Sequence, residues 1–171
     1  EEFIFVVTAD HGYPCYENPP RPIVYNQTYT EAFHVPFIVY DGEHSAVYSD
    51  IYSNIDGISV EMQCAGVVPE KPVHGREYIL CEYGGPGCPD IGVKPIWYTY
   101  IDDRWRISAE CPLTQVCTME CIKEIYDIKK DPSERLNLLK FKQNSPEVRK
   151  CFETICGRHN ALKERFAGEK F

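Results

Sequence analysis

Residues 3–12, FIFVVTADHG, decide the fold: five apolar residues out of six lead into an Asp-His-Gly turn. A run so short and so rich in Val, Ile and Phe predicts a strand buried on both faces, as in the middle of an α/β sheet. Ligands collect at the carboxyl ends of such strands, and Asp10 and His11 stand at that end. A carboxylate beside an imidazole is half of a divalent metal site, and Gly12 permits a sharp turn after it.

The strand and its turn are the first of four motifs that occur in a fixed order. Residues 6–12, VVTADHG, resemble the second metal-ligand motif of the sulfatases, in the alkaline phosphatase superfamily. Residues 31–40, EAFHVPFIVY, are similar to that family's E-x-x-R-V-P strand, and residues 52–67, YSNIDGISVEMQCAGV, to its S-x-x-D helix. Residues 124–138, EIYDIKKDPSERLNL, resemble its E-L-Y-D-L-x-x-D-P-x-E-x-x-N-L segment. The ordered set indicates a sulfatase-like chain.

The resemblance implies an α/β fold: part of an alkaline-phosphatase-like mixed sheet flanked by helices, with a small C-terminal antiparallel sheet and a terminal helix. We expect residues 1–76 to be the C-terminal part of the catalytic domain and residues 77–171 to be a C-terminal subdomain. The implied activity is metal-dependent hydrolysis of sulfate esters, on a sulfated small molecule or a glycan. Asp10 and His11 map onto metal ligands. Calcium is favoured by the family, while the His11 imidazole also admits zinc, manganese or magnesium.

The family's nucleophile motif, Cys/Ser-x-Pro-x-Arg, does not occur in this sequence. We therefore expect the chain to be the C-terminal portion of a longer hydrolase, inactive alone, whose partner is the missing N-terminal half. Two alternatives stay open. One is a phosphate or phosphonate ester hydrolase of the same superfamily, which His11 makes plausible. The other is a non-catalytic extracellular relative that serves as a structural or binding module.

One further site residue follows from the resemblance. The family often has a lysine between the metal motif and the V-P strand that contacts the ester, and residues 13–33 contain none. Arg21 is the cation there that could bind substrate, although a surface arginine in a Pro-rich loop is the simpler interpretation. His34 stands where the family has arginine, and a structural contact is expected for it. Asp56 is expected to cap its helix rather than reach the metal.

Composition narrows the class of protein and its location. The net charge of −8 argues against nucleic acid as a partner, and no apolar stretch reaches the ~20 residues of a membrane span. Nine cysteines in 171 residues indicate a secretory setting, extracellular or lysosomal, with disulfides. Because no C-x-x-C pair occurs, a zinc knuckle is disfavoured. Asn26 begins the sequon Asn-Gln-Thr, a candidate for glycosylation.

Local patterns predict the other elements. Residues 56–64 should be helical and end at Gly66, and residues 77–81 should form a strand. Residues 95–100 and 104–109 read as a hairpin joined at Asp102 and Asp103. Ser145 and Pro146 predict the start of a helix that runs towards Phe166. One side of this helix carries Val148, Phe152, Ile155, His159 and Leu162.

Overall fold

A computed structural model describes residues 3–12, 30–40, 42, 49–66, 75–84 and 95–167. These residues fall into two compact units, which we call the N-terminal unit (up to Glu77) and the C-terminal unit (from Tyr78 onward). The domain boundary predicted between residues 76 and 77 concerns a larger protein and stays a prediction. Among the helices of the described ranges, none is long and apolar enough to cross a membrane.

The described residues of the N-terminal unit form a two-stranded antiparallel sheet and two helices. The strands pair from Phe5 opposite Tyr40 to Thr8 opposite Phe37. A 3-10 turn, Asn54–Asp56, leads directly into the second helix, which is followed by Gly66 at φ +70 as predicted for the helix end. The elements are β1 (Phe5–Thr8), α1 (Thr30–Phe33), β2 (Phe37–Tyr40) and α2 (Gly57–Cys64).

The apolar residues of β1 are not enclosed within this chain, contrary to the burial expected on both faces. Phe5 is 57% and Val7 41% exposed, and their cross-strand partners Tyr40 and Ile38 are 53% and 56% exposed. The four side chains share one face of the sheet, because directly paired residues lie on the same side. No other described element of the chain covers that face enough to bury it.

The C-terminal unit is an antiparallel meander with one long helix against it. The strand order is β3-β4-β5-β6, and each strand pairs with its neighbour in sequence. The predicted hairpin is confirmed, whereas β3 lies two residues later than predicted and β6 was not predicted. The elements are β3 (Ile79–Tyr83), β4 (Ile96–Ile101), β5 (Trp105–Cys111), β6 (Ile122–Asp127), α3 (Leu139–Lys142) and α4 (Pro146–Arg165).

The helix α4 forms as its local sequence predicts. The Ser145 hydroxyl accepts the Val148 N–H at 3.4 Å, and Pro146 occupies the first turn, where a missing N–H costs nothing. All five residues predicted for one side are buried, together with Cys151. This side packs against the β4–β5 face that carries Tyr98 and Ile107, both fully buried.

The opposite face of the sheet carries a buried ion pair. Arg106 of β5 is fully buried, with its Nε 3.0 Å from Glu134 Oε1 and its Nη2 2.9 Å from Glu124 Oε2. Its guanidinium lies 4.6 Å from the ring centre of Tyr126. Glu134 adopts the left-handed region at φ +50, where the chain after β6 turns back over the sheet. These acidic residues of the 124–138 motif therefore supply the counter-charges of the buried Arg106 side chain.

Candidate metal site

The Asp-His-Gly turn places two ligand atoms beside each other at the end of β1. The His11 N–H donates to Asp10 Oδ1 at 2.9 Å, and this bond fixes the carboxylate relative to the backbone. Asp10 Oδ2 and His11 Nε2 lie 3.6 Å apart. Metal–ligand bonds of about 2.0–2.4 Å bring neighbouring donors to roughly this separation. The two side chains are 88% and 69% exposed, so an ion can reach them from solvent.

The second nitrogen of the imidazole sets which tautomer His11 adopts. His11 Nδ1 lies 2.9 Å from the Gly12 carbonyl oxygen. Because a carbonyl only accepts, Nδ1 must carry the proton and donate. In the neutral ring Nε2 then has a free lone pair on the side of Asp10 Oδ2. Orientation of a ligand histidine through its other nitrogen is the usual arrangement at protein metal sites.

Gly12 anchors this turn against α1. Its N–H donates to the Ala32 carbonyl at 2.9 Å. A Cβ built on Gly12 would lie 1.8 Å from the Glu31 carbonyl oxygen, a backbone atom that cannot move aside without displacing the helix. The glycine is therefore required for close backbone approach, in addition to the turn that the sequence predicted for it.

Asn54 fixes the end of β1 from the other side, a role that the sequence analysis missed. Its Nδ2 donates to the Ala9 carbonyl at 2.8 Å, and its Oδ1 accepts the Thr8 hydroxyl at 3.5 Å. The residue immediately before Asp10 is thus tied to the 3-10 turn. The sequence offered only the position of Asn54 inside the S-x-x-D motif, which indicates the start of a helix and does not indicate a contact with β1.

Asp56 supports the helix start, as expected, and does not join Asp10. Its Oδ2 accepts the Ser53 N–H at 3.1 Å and lies 2.7 Å from Arg76 Nε. The Arg76 hydrogen bond is the main cause that lowers the pKa of the Asp56 carboxyl below its usual value, against a smaller opposing effect of burial. The Ile51–Arg76 backbone bridge places Arg76 beside the turn.

The remaining predicted residues do not add ligands here. Arg21 and Asn26 lie outside the described residues. His34 is exposed, and its N–H donates to the Thr30 carbonyl at 2.7 Å at the end of α1. Within the described ranges, no third His, Cys, Asp or Glu joins Asp10 and His11 in a three-ligand group. The described residues thus supply two donors to a metal at this turn.

Comparison with known proteins agrees with the motifs. The sulfatase family model matches residues 1–67. Among solved structures, BT1596, a 2-O GAG sulfatase, superposes with a TM-score of 0.71 at 20% identity, over 98% of this chain and 38% of that one. A candidate sulfatase from Bacteroides thetaiotaomicron VPI-5482 gives 0.58 at 20% identity, over 95% and 35%. BT4656, in complex with its substrate D-glucosamine-2-N,6-O-disulfate, gives 0.53 at 19% identity, over 82% and 31%. No curated protein sequence matches the chain.

These comparisons confirm the predicted resemblance to sulfatases and the fold class. The family match contains the first three motifs, and the structural likeness at about 20% identity, over 98% of the chain in one case, shows a shared fold that includes the C-terminal unit. The chain is a mixed α/β structure with antiparallel sheets and a C-terminal helix. It spans about a third of the length of these three solved structures.

Proposed function

We propose that this chain is the C-terminal portion of a sulfatase-like hydrolase that cleaves sulfate esters, and that Asp10 and His11 bind its divalent metal ion. The observation that carries the proposal is the pair of free donor atoms, Asp10 Oδ2 and His11 Nε2, 3.6 Å apart in the stretch that matches the sulfatase family. A bound divalent ion would neutralise the ester oxygens and lower the pKa of a nucleophile. Gly12 and Asn54 would position the two donor atoms, because they fix the backbone on either side of the turn.

The exposed apolar face of β1 and β2 supports a longer parent protein. Phe5, Val7, Ile38 and Tyr40 are each 41–57% exposed on that face. Burial of apolar surface contributes about 25 cal/mol per Å², so a protein that leaves this apolar face exposed to solvent loses that stabilisation. Further segments of the same protein would cover this face and would bring the nucleophile and the remaining ligands to the turn. The chain by itself would then be inactive.

The chemistry of the two ligands limits which metal fits. The Asp10 carboxylate suits calcium or magnesium, and the His11 imidazole adds affinity for zinc or manganese. Calcium is the first choice from the family. We propose a sulfated small molecule or glycan as substrate, in line with the sugar substrate of BT4656. Arg21 is the proposed anion contact, and Asn26 the proposed glycosylation site of a protein in the secretory pathway.

A phosphate or phosphonate ester is the second candidate substrate, and the imidazole of His11 is the observation that favours it. Nucleophile identity separates the two: a Cys-x-Pro-x-Arg peptide in the parent protein indicates a sulfatase, and Thr or an isolated Ser indicates phosphoryl transfer. A parent protein with neither would favour the non-catalytic module. Peptide mapping of the intact protein therefore decides among the three.

The metal assignment is tested in the intact parent protein by Asp10→Asn. The variant is expected to lose bound metal, measured by elemental analysis, and hydrolysis of an aryl sulfate together. Glu77→Gln is the matched control, because Glu77 is an exposed acid of the same unit. An Asp10→Asn protein with full metal content and full activity would refute the assignment.

A further inference from the structure

Three cysteine sulfurs meet inside the C-terminal unit. The Sγ atoms of Cys111, Cys117 and Cys121 all lie within 4.8 Å of one another, and those of Cys111 and Cys121 are 3.3 Å apart. Cys111 is fully buried, and the other two are 9% exposed. All three are free thiols in the structure. An enclosed group of three sulfurs is a donor set for a soft or borderline metal ion.

Separate elements carry these sulfurs to one point. Cys111 is the last residue of β5, Cys117 lies in the following loop, and Cys121 ends the 3-10 turn Met119–Cys121 that leads into β6. The Cys121 N–H donates to the Thr118 carbonyl at 2.8 Å, which fixes that turn. Donors on rigid, hydrogen-bonded backbone are held in position before an ion arrives.

A fourth donor comes from α4. His159 is fully buried, with its Nε2 3.8 Å from Cys111 Sγ. Its Nε2 lies 3.1 Å from the Gln115 carbonyl, which only accepts, so Nε2 carries the proton in this structure and Nδ1 accepts from the Tyr98 hydroxyl at 3.1 Å. Metal binding at Nε2 would move that proton to Nδ1, which would then donate to Tyr98. Lys163 Nζ donates to the Gln115 carbonyl at 2.9 Å. The carbonyl would therefore keep a partner when the imidazole binds metal.

The distances fit coordination better than a disulfide. A disulfide needs about 2.05 Å between sulfurs, well below the 3.3 Å between Cys111 and Cys121. Zinc–sulfur bonds of about 2.3 Å in a tetrahedron place sulfurs roughly 3.8 Å apart, and the three sulfurs here all lie within 4.8 Å of one another.

Cysteine binds a metal ion as the thiolate, so binding of zinc by the cluster would release the protons of its three thiols.

We propose that Cys111, Cys117, Cys121 and His159 form a structural zinc site that fastens the connection between β5 and β6 to α4. A donor set of three sulfurs and one imidazole is the one that structural rather than catalytic zinc sites use. The site is separate from the Asp10–His11 pair and does not depend on the function proposed for that pair. Because its ligands span 48 positions from Cys111 to His159, zinc would cross-link the unit as a disulfide does elsewhere.

The test measures zinc in the full chain, purified under reducing conditions without added metal. Stoichiometric zinc is expected in the wild type and in Asp10→Asn, and it should be released by an organomercurial that titrates thiols. Cys117→Ser should lose the zinc, whereas Cys151→Ser should keep it, since Cys151 is a buried cysteine of α4 outside the cluster. Wild-type protein that is folded and free of zinc, or that contains a Cys111–Cys121 disulfide by mass mapping, would overturn the proposal.

A second measurement covers the case in which Cys117→Ser fails to fold. Cobalt(II) added to the metal-free wild-type chain should give the sulfur-to-metal charge-transfer absorption of a thiolate site, and its absence would refute thiolate ligation.

Tyr98→Phe tests whether the His159 imidazole is a ligand. Loss of the hydrogen bond at Nδ1 is expected to weaken zinc affinity by about 10–100-fold, and unchanged affinity would exclude His159 as an oriented ligand.

Discussion

Replacing Glu134 by glutamine is expected to destabilise the C-terminal unit by about 3 kcal/mol, at the lower end of the cost of breaking a buried ion pair. The change removes the carboxylate 3.0 Å from Arg106 Nε and leaves a fully buried guanidinium. Glu124 still lies 2.9 Å from Arg106 Nη2, and Ser108 Oγ accepts from Nη1 at 2.7 Å. These remaining partners are the reason to expect the lower end of the range. Glutamine also keeps a side chain of similar size on the left-handed backbone, so that strain is unchanged.

Urea denaturation monitored by tryptophan fluorescence measures the free energy of unfolding of the C-terminal unit. The chain has two tryptophans, Trp97 on β4 and Trp105 on β5, and both report on the sheet that holds Arg106. A loss of about 3 kcal/mol lowers the folding equilibrium constant by roughly a hundredfold. The midpoint should fall with little change in slope.

Asp103→Asn is the matched control for charge removal at an exposed pair. Asp103 Oδ2 lies 3.6 Å from Lys129 Nζ, and the two side chains are 79% and 68% exposed. Such pairs contribute about 0–1 kcal/mol. If Glu134→Gln cost no more than this control, the buried pair would not stabilise the unit and the reasoning would be wrong. Replacing Arg106 by methionine and Glu134 by leucine together should cost less than the sum of the single changes.

Two further predictions concern the N-terminal unit. Gly12→Ala should lower the hydrogen-exchange protection of the amide at position 12 and weaken metal binding, because its Cβ would lie 1.8 Å from the Glu31 carbonyl oxygen. Gly57→Ala is the control and should be tolerated, because the nearest atom to its Cβ is a side-chain carbon at 3.7 Å. Equal effects of the two substitutions would contradict the steric argument. The Asp56 carboxyl has a lowered pKa in the folded state, so its stabilisation is fully present above the unfolded value of about 3.9 and is lost as pH falls through the folded value. The free-energy difference between wild type and Asp56→Asn is measured by urea titration of the N-terminal unit followed by hydrogen exchange. It should stay constant above about pH 5 and shrink as the pH falls below about 4. A difference independent of pH would rule out the ionised pair.

The elements that depend on sequence features within a few neighbouring residues were predicted well. The start of α4 is encoded by Ser145 and Pro146, and its buried side by apolar residues at helical spacing, so the sequence alone places it. The hairpin of β4 and β5 is equally local, because Asp102 accepts the N–H groups of Arg104 and Trp105 at the turn. Strand β6 was missed since Lys123 and Glu124 interrupt its apolar pattern. In the structure a register shift between Ser108 and Ala109 of β5 accommodates these residues, and Arg106 of β5 pairs with Glu124.

The sequence by itself determined the sulfatase resemblance, the Asp10–His11 pair and the terminal helix, because motifs, ligand types and capping residues act between neighbours in the chain. Tertiary structure decided the rest. The spacing of the cysteines indicated no zinc ligand set, yet β5, the loop after it and the 3-10 turn bring Cys111, Cys117 and Cys121 together, and α4 places His159 beside Cys111. Likewise the exposure of Phe5 and Val7 depends on which other strands lie beside β1. Contacts between distant segments depend on packing, which sequence spacing does not record.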